Sequence, residues 1–413
     1  MAPEFYSPFS TATFAVLLGF CGAVWVPLLP GWEISNLIAV AIILMGFLTF
    51  VTCGRLRLPL IHVLLVLTLG CLYFSFRIRG DDGEDQAIRS LAYVLMAIGL
   101  AQFTMPNLRV AANVGTVLLL ALFAISSFVA GTSLVDGTLE YLTQFDRESF
   151  VYKLMRPTLN SFATADANYL ASVINTLSSA LAVLFVVAAT HRARLAAIAC
   201  GVLVVILFST AAVLAVGITL FVLGARWAAR SPGKLGPAAA ILLVVVAAPL
   251  LYEPALHYFS LNVTQDDASR AARLEQYAGA MNYIDANPLI GVGYVQIGGH
   301  LIHNVFLFSW VSAGVVPAVL IAIVYVLAFG LVFRALPATI YGDIRWCGVL
   351  GLTSIFLIRI TIGGGGGLPE ATAMSALAIA LALDWQLRQF GPAANDDPPL
   401  LLTQPVLQAG AQV

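Results

Sequence analysis

Two histidines, His300 and His303, stand three residues apart in "GGHLIHNVFLFSW", directly before a long apolar run, in a chain with only five histidines. Imidazole is the side chain best suited to taking a proton near neutral pH. At the first turn of a helix a histidine lies at the positive end of the dipole, which disfavours imidazolium and leaves the ring able to accept that proton. The same helix end attracts a phosphate. Metal ligation at i, i+3 is the other chemistry open to the pair, but no Cys, Asp or Glu stands close by to complete a shell, so neither a metal nor a cofactor is expected. The plainer reading, an interfacial ring bonded to a loop carbonyl, fits His300 better than His303.

Arginines accompany them. In "DDASRAARLEQYAGAMNYIDANPL" the apolar Leu274, Ala278 and Met281 recur at helical spacing, with Arg270, Arg273 and Tyr277 on a neighbouring stripe. An amphipathic helix lying over a membrane domain and ended by Pro288 is expected there; ordinary surface arginines are the plainer reading. Arg89 falls in the first turn of an apolar run, and Arg359 near the end of "LTSIFLIRITIGGGGG". A charge in such a place costs a few kcal/mol unless it snorkels to the interface, faces a wet cavity or meets an anion.

The elements that hold these residues must be membrane helices. Of 413 residues, 60% are hydrophobic and 10% charged, and mean hydropathy is +0.94, a balance that no water-soluble globule could bury. The five cysteines lie in or beside apolar runs without paired spacing, which indicates neither a disulfide framework nor a cysteine zinc site. The N-terminus is not basic and no small-residue cleavage site follows, so 10–29 is read as a retained first span.

Crossing the hydrocarbon takes about 20 apolar residues. Runs near 10–30, 36–53, 59–76, 87–105, 110–130, 169–190, 195–209, 211–225, 236–252, 303–333, 344–362 and 369–388 give about twelve spans, the pair at 195–225 separated by the polar Ser209-Thr210 step. With the N-terminus inside, the short loops holding Arg55, Arg57, Arg109, Arg192, Arg194, Arg226, Arg230, Lys234, Arg334, Arg345 and Arg388 all face the cytoplasm. The expectation is an all-α polytopic membrane domain over 1–388, with long external loops at about 131–168 and 253–302, the second carrying the amphipathic helix, and a flexible cytoplasmic tail at 389–413. A third, short charged segment, "RIRGDDGEDQ", joins the long loops outside. Cations on that face run against the usual bias and need a reason.

The run "RLEQYAGAMNYIDANPLIGVGYVQ…HNVFLFSWVSAGVVPAVL" resembles the signature region, here about 270–320, of the O-antigen ligase and O-antigen polymerase family: an arginine, an aromatic, a "hPlxGvG" turn, then "HNxxL" and a glycine. Arg273, Tyr277, Pro288, Gly291, Gly293, His303, Asn304, Leu307 and Gly314 carry it. "FATADANYLASVINTL" is similar to the family's "DPNxxA" element through Asp166, Asn168 and Ala171. Two departures stand out: Ala167 replaces the proline, and Ser209-Thr210-Ala211 replaces a Ser-Arg-Gly turn, so one family arginine is missing there. Arg359 or an arginine of 131–168 is the expected substitute.

The resemblance implies a multi-pass enzyme of the bacterial inner membrane. It would take a glycan linked to undecaprenyl diphosphate on the periplasmic face and pass it to an acceptor hydroxyl such as lipid A-core, inverting the anomeric carbon without a metal. His303 is then the base, Asn304 orients it or the sugar, and His300 supports. Arg270 and Arg273 hold the diphosphate, backed by Arg89 and Arg359, because guanidinium forks neutralise phosphate oxygens. A polymerase of the same family, whose acceptor is another lipid-linked repeat, shares all these residues. A twelve-helix secondary transporter would call for an internal repeat and broken helices meeting at the midplane; the unusual residues here gather at one edge. A scaffold would leave the external arginines idle.

Overall fold

The computed structural model describes residues 8–20, 27–29, 32–53, 56–81, 83–103, 106–129, 167–207, 209–230, 273–298, 300–341, 345–362, 378–379 and 381–382. Arg270, Asp166, residues 131–166 and 253–272 of the long loops, the expected span 236–252, most of 369–388 and the tail lie outside them.

Among the described residues the long apolar runs form helices. The helices are α1 (Pro8–Phe20), α2 (Ile34–Cys53), α3 (Leu60–Arg79), α4 (Glu84–Leu100), α5 (Leu108–Val129), α6 (Ala167–Thr190), α7 (Arg194–Leu207), α8 (Thr210–Arg230), α9 (273–286), α10 (Val305–Ala313), α11 (Val315–Tyr341) and α12 (Arg345–Ile362). Two short antiparallel ladders interrupt the helical pattern, β1 (Pro27–Leu29) with β2 (Trp32–Glu33), and β3 (Gln296–Ile297) with β4 (His300–Leu301). Among the described residues, windows in α3, α5 and α11 are long and apolar enough to cross a membrane, and shorter apolar stretches occupy parts of α1, α2, α6, α7, α8 and α12. Such helices suit a membrane-embedded protein.

Packing runs α1 on α5, α2 on α4, α3 on α4 and α11, α6 on α7, α8 on α12, and α11 on α12. Small residues set the closest approaches, as expected where helices gain little from hydrophobic sorting and must pack backbone to backbone. A Cβ on Gly46 of α2 would stand 2.5 Å from the Cα of Gly99 on α4, and one on Gly19 of α1 would stand 2.9 Å from the carbonyl of Gly115 on α5.

Three expectations are corrected. The apolar run 303–333, read as one span, is two helices. Gly314 adopts φ 86°, ψ −164° between them, a backbone that side-chain-bearing residues avoid. At nine residues, α10 is about 14 Å long, too short to cross, and α11 is the helix long enough to do so. His303 therefore lies not in the first turn of a span but two residues before α10. The second correction concerns α9, which packs with Gln276, Ala280 and Ile284 buried and leaves Leu274 and Met281 exposed. Its apolar stripe does not face the helical core. Arg89 also sits deeper than a first turn, as the sixth residue of α4.

Candidate functional site

The site is built on the two ends of α10. A helix leaves its last carbonyls without intrahelical partners, and here the glycine turn supplies them. Val292 N–H donates to Val311 O at 2.6 Å and Gly293 N–H to Ser312 O at 3.1 Å. Gly291, at φ 71°, must come so close that a Cβ would stand 2.5 Å from Val311 O and 2.7 Å from Ala313 N. Trp310 Nε1 donates to Pro288 O at 2.9 Å. The "PLIGVG" turn is thus a cap for the C-terminal end of α10, and the Gly314 break exists to let the turn reach it.

α3 and α4 grip the same turn. Arg79 Nη2 donates to Gly291 O at 2.8 Å, and the Asp81 carboxylate accepts from Tyr294 N–H at 3.0 Å. Ser75 Oγ donates to Ser312 O at 2.8 Å. The Tyr294 ring meets Phe76 edge-on at 5.6 Å and Phe308 at 6.3 Å, while its hydroxyl takes a bond from Gln86 Nε2 at 3.1 Å. Charge-assisted bonds to backbone are the stronger kind. The exposed Arg77–Glu84 pair, 3.3 Å apart, adds little by comparison. So the segment "RIRGDDGEDQ" has a structural reason for part of its charge. Arg89 lies one turn beyond Gln86 on α4.

At the other end of α10, Asn304 is the N-cap: its Oδ1 accepts from Phe306 N–H at 2.9 Å and Leu307 N–H at 3.1 Å. The expected role of orienting His303 or a sugar gives way to this one for the carbonyl oxygen. His303, half-buried, directly precedes the cap. Its backbone N–H donates to Oε1 of Gln276 at 3.4 Å, a side chain only 2% exposed. Ile302, beside it, is fully buried. His300 belongs to β4, paired with Ile297 of β3.

Arg273 is one helical turn before Gln276 on α9, and residues three apart on a helix are neighbours, about 5–6 Å between Cβ atoms. Arg273 thus stands one turn along α9 from the residue that bonds His303. Arg273 Nε is buried and, among the described residues, has no hydrogen-bond partner. Leaving a donor of a cation unsatisfied is costly, so an anionic ligand would find the partnerless group ready. Tyr277 lies half-buried at the next position after Gln276. Arg359 is in α12, and Asn168 is the second residue of α6. Among the described residues no cluster of three or more His, Cys, Asp or Glu could hold a metal.

Sequence reasoning missed Gln276, Arg79, Asp81 and Tyr294. Arg79 and Asp81 stood in a charged segment already flagged as unusual; nothing local marked Gln276.

Residues 177–322 match a family model described as O-antigen ligase. The match takes in α9, the glycine turn, His303, Asn304 and α10, and supports the resemblance seen in the motifs. No curated protein matches the chain.

Proposed function

From the O-antigen ligase match as premise, we propose that this protein is an inner-membrane glycosyltransferase that moves a glycan from undecaprenyl diphosphate to a hydroxyl of lipid A-core on the periplasmic face. The observation that supports the reading is the bond from His303 N–H to Oε1 of Gln276, one turn along α9 from Arg273, whose buried Nε has no hydrogen-bond partner among the described residues. A cation seeking an anion and a base seeking a proton are the two groups this reaction needs from the protein.

In the step itself, the acceptor oxygen attacks the anomeric carbon from the side opposite the diphosphate. Its proton passes to the His303 ring, the new carbon–oxygen bond forms, and the bond to the diphosphate oxygen breaks with its electron pair leaving on the diphosphate. The configuration inverts. Arg273, with Arg270 beside it in sequence and Arg89 and Arg359 in support, neutralises the charge that gathers on the leaving group, the largest contribution a preorganised site makes. A positioned base adds roughly two to four decades in rate. Because a diphosphate already leaves well once neutralised, no metal enters the scheme.

The scheme places about twelve helices in the membrane with both ends cytoplasmic and the loops 131–168 and 253–302 outside, where lipid-linked glycans are presented. Deleting the gene and examining the lipopolysaccharide tests the assignment. The expected result is lipopolysaccharide without long chains, restored by the wild-type gene and not by Arg273→Ala. Intact long chains with loss of a different polymer would replace the ligase by a polymerase of the same family.

A further inference from the structure

The turn that caps α10 exposes two consecutive aliphatic side chains: Leu289 is 71% exposed and Ile290 74%, while Gly291 and Gly293 behind them are buried. Two exposed aliphatics alone are ordinary; a partner is called for only where they extend a larger apolar surface. This turn is not loose. Arg79 reaches the carbonyls of Ile290 and Gly291, Trp310 bonds Pro288 O, and the backbone at Gly314 packs against Leu289 so closely that a Cβ there would collide with its carbonyl.

Those anchors fix where the pair sits. On α3 the exposed residues Leu60, Leu67, Phe74 and Ile78 form one stripe, at spacings of seven, seven and four that keep to one side of a helix. On α11 Val316, Val319, Ile323, Val326 and Phe329 form another. Both helices are long and apolar enough to cross a membrane, with 39% of the α3 window and 33% of the α11 window buried inside the protein, so these stripes are the surfaces suited to meet lipid. The two helices pack on each other. The α3 stripe ends at Ile78, next to Arg79; the α11 stripe begins at Val316, two residues after Gly314. Leu289 and Ile290 are anchored to Arg79 and Gly314 themselves, and so continue the lipid-facing surface at the end where both stripes stop.

We propose that the Leu289–Ile290 turn is inserted among the acyl chains of the bilayer leaflet at the Arg79 end of α3. Apolar side chains gain by leaving water for hydrocarbon, and the exposed Arg77 at the same end of α3 has the long stem that carries a charge to the headgroups. The insertion pins the glycine turn, and with it the α10 end of the site, to the membrane surface. It holds whether or not the protein transfers glycan, and its partner is the bulk phospholipid of the bilayer.

The test uses full-length protein with its five native cysteines replaced by alanine and a single nitroxide-labelled cysteine, at Leu289→Cys or Ile290→Cys, in phospholipid bilayers free of any polyprenyl lipid. Collision with oxygen, which concentrates in hydrocarbon, is compared with collision with a water-soluble nickel chelate. Ile78→Cys serves as the lipid reference and Asp285→Cys, exposed on α9, as the aqueous one. The expected result is an oxygen-to-chelate ratio at 289 and 290 that matches position 78. A ratio matching position 285 at both overturns the proposal. If the cysteine variants do not fold, wild-type protein in bilayers holding a phospholipid with a photoreactive acyl chain gives a second reading: crosslinks on the peptide holding 289–290 are expected, and crosslinks on the α3 peptide with none on that one overturn it.

Discussion

The side-chain carbonyl of Gln276 on α9 accepts the backbone N–H of His303 at 3.4 Å, tying the helix that carries Arg273 to the residue before the α10 cap. Gln276→Ala removes this tether and leaves His303 in place. Losing one neutral hydrogen bond costs about 1 kcal/mol, so turnover is expected to fall roughly five- to tenfold. The check is kcat and KM for glycan transfer with protein abundance matched. A loss in kcat with KM kept marks a positioning role; unchanged kcat removes Gln276 from the account.

Arg273 is expected to resist conservative replacement. Lysine keeps the charge but not the planar fork, so Arg273→Lys should still slow transfer by roughly tenfold or more, on the scale of a charged hydrogen bond worth about 1.5–3 kcal/mol. Transfer should also survive EDTA. Activity that vanishes in EDTA and returns with magnesium would contradict the arginine-based scheme.

How much of this was legible beforehand depends on range. The apolar runs and the ordered motif from Arg273 to Gly314 lie in single stretches of sequence, and so the helical character and the order of the signature residues could be read directly. The break at Gly314 was missed because hydropathy sees "SAGVVPAVL" as continuous, although a glycine followed by Pro317 is a recognisable stop and restart. The burying face of α9 was misjudged because an apolar stripe normally turns inward, whereas here the polar Gln276 is needed inside to meet His303. Arg79 and Asp81 reach residues more than 200 positions away, a pairing that no local pattern encodes.

Asn304 separates two roles. As the N-cap of α10, its replacement by alanine should lower stability by about 1 kcal/mol, read as a fall in melting temperature of the detergent-solubilised protein. Asn304→Asp keeps the accepting oxygen and should restore most of that stability. If Asn304→Ala melts like wild type and yet loses activity, Asn304 contacts substrate instead.

The expected topology rests on the loop arginines. A cysteine at position 265 should react with an impermeant reagent in intact spheroplasts, and one at position 230 should not. The reverse pattern would turn the site to the cytoplasm and end the periplasmic scheme.

The most direct measurement is transfer of glycan from a purified lipid-linked donor by wild type, His303→Ala, His303→Gln and His300→Ala. With His303 as the base, His303→Ala and His303→Gln should each lose roughly two to four decades in turnover while still binding donor, and His300→Ala should lose far less. A His303→Gln enzyme within a few-fold of wild type would contradict the account, because glutamine can hydrogen-bond but cannot accept the proton.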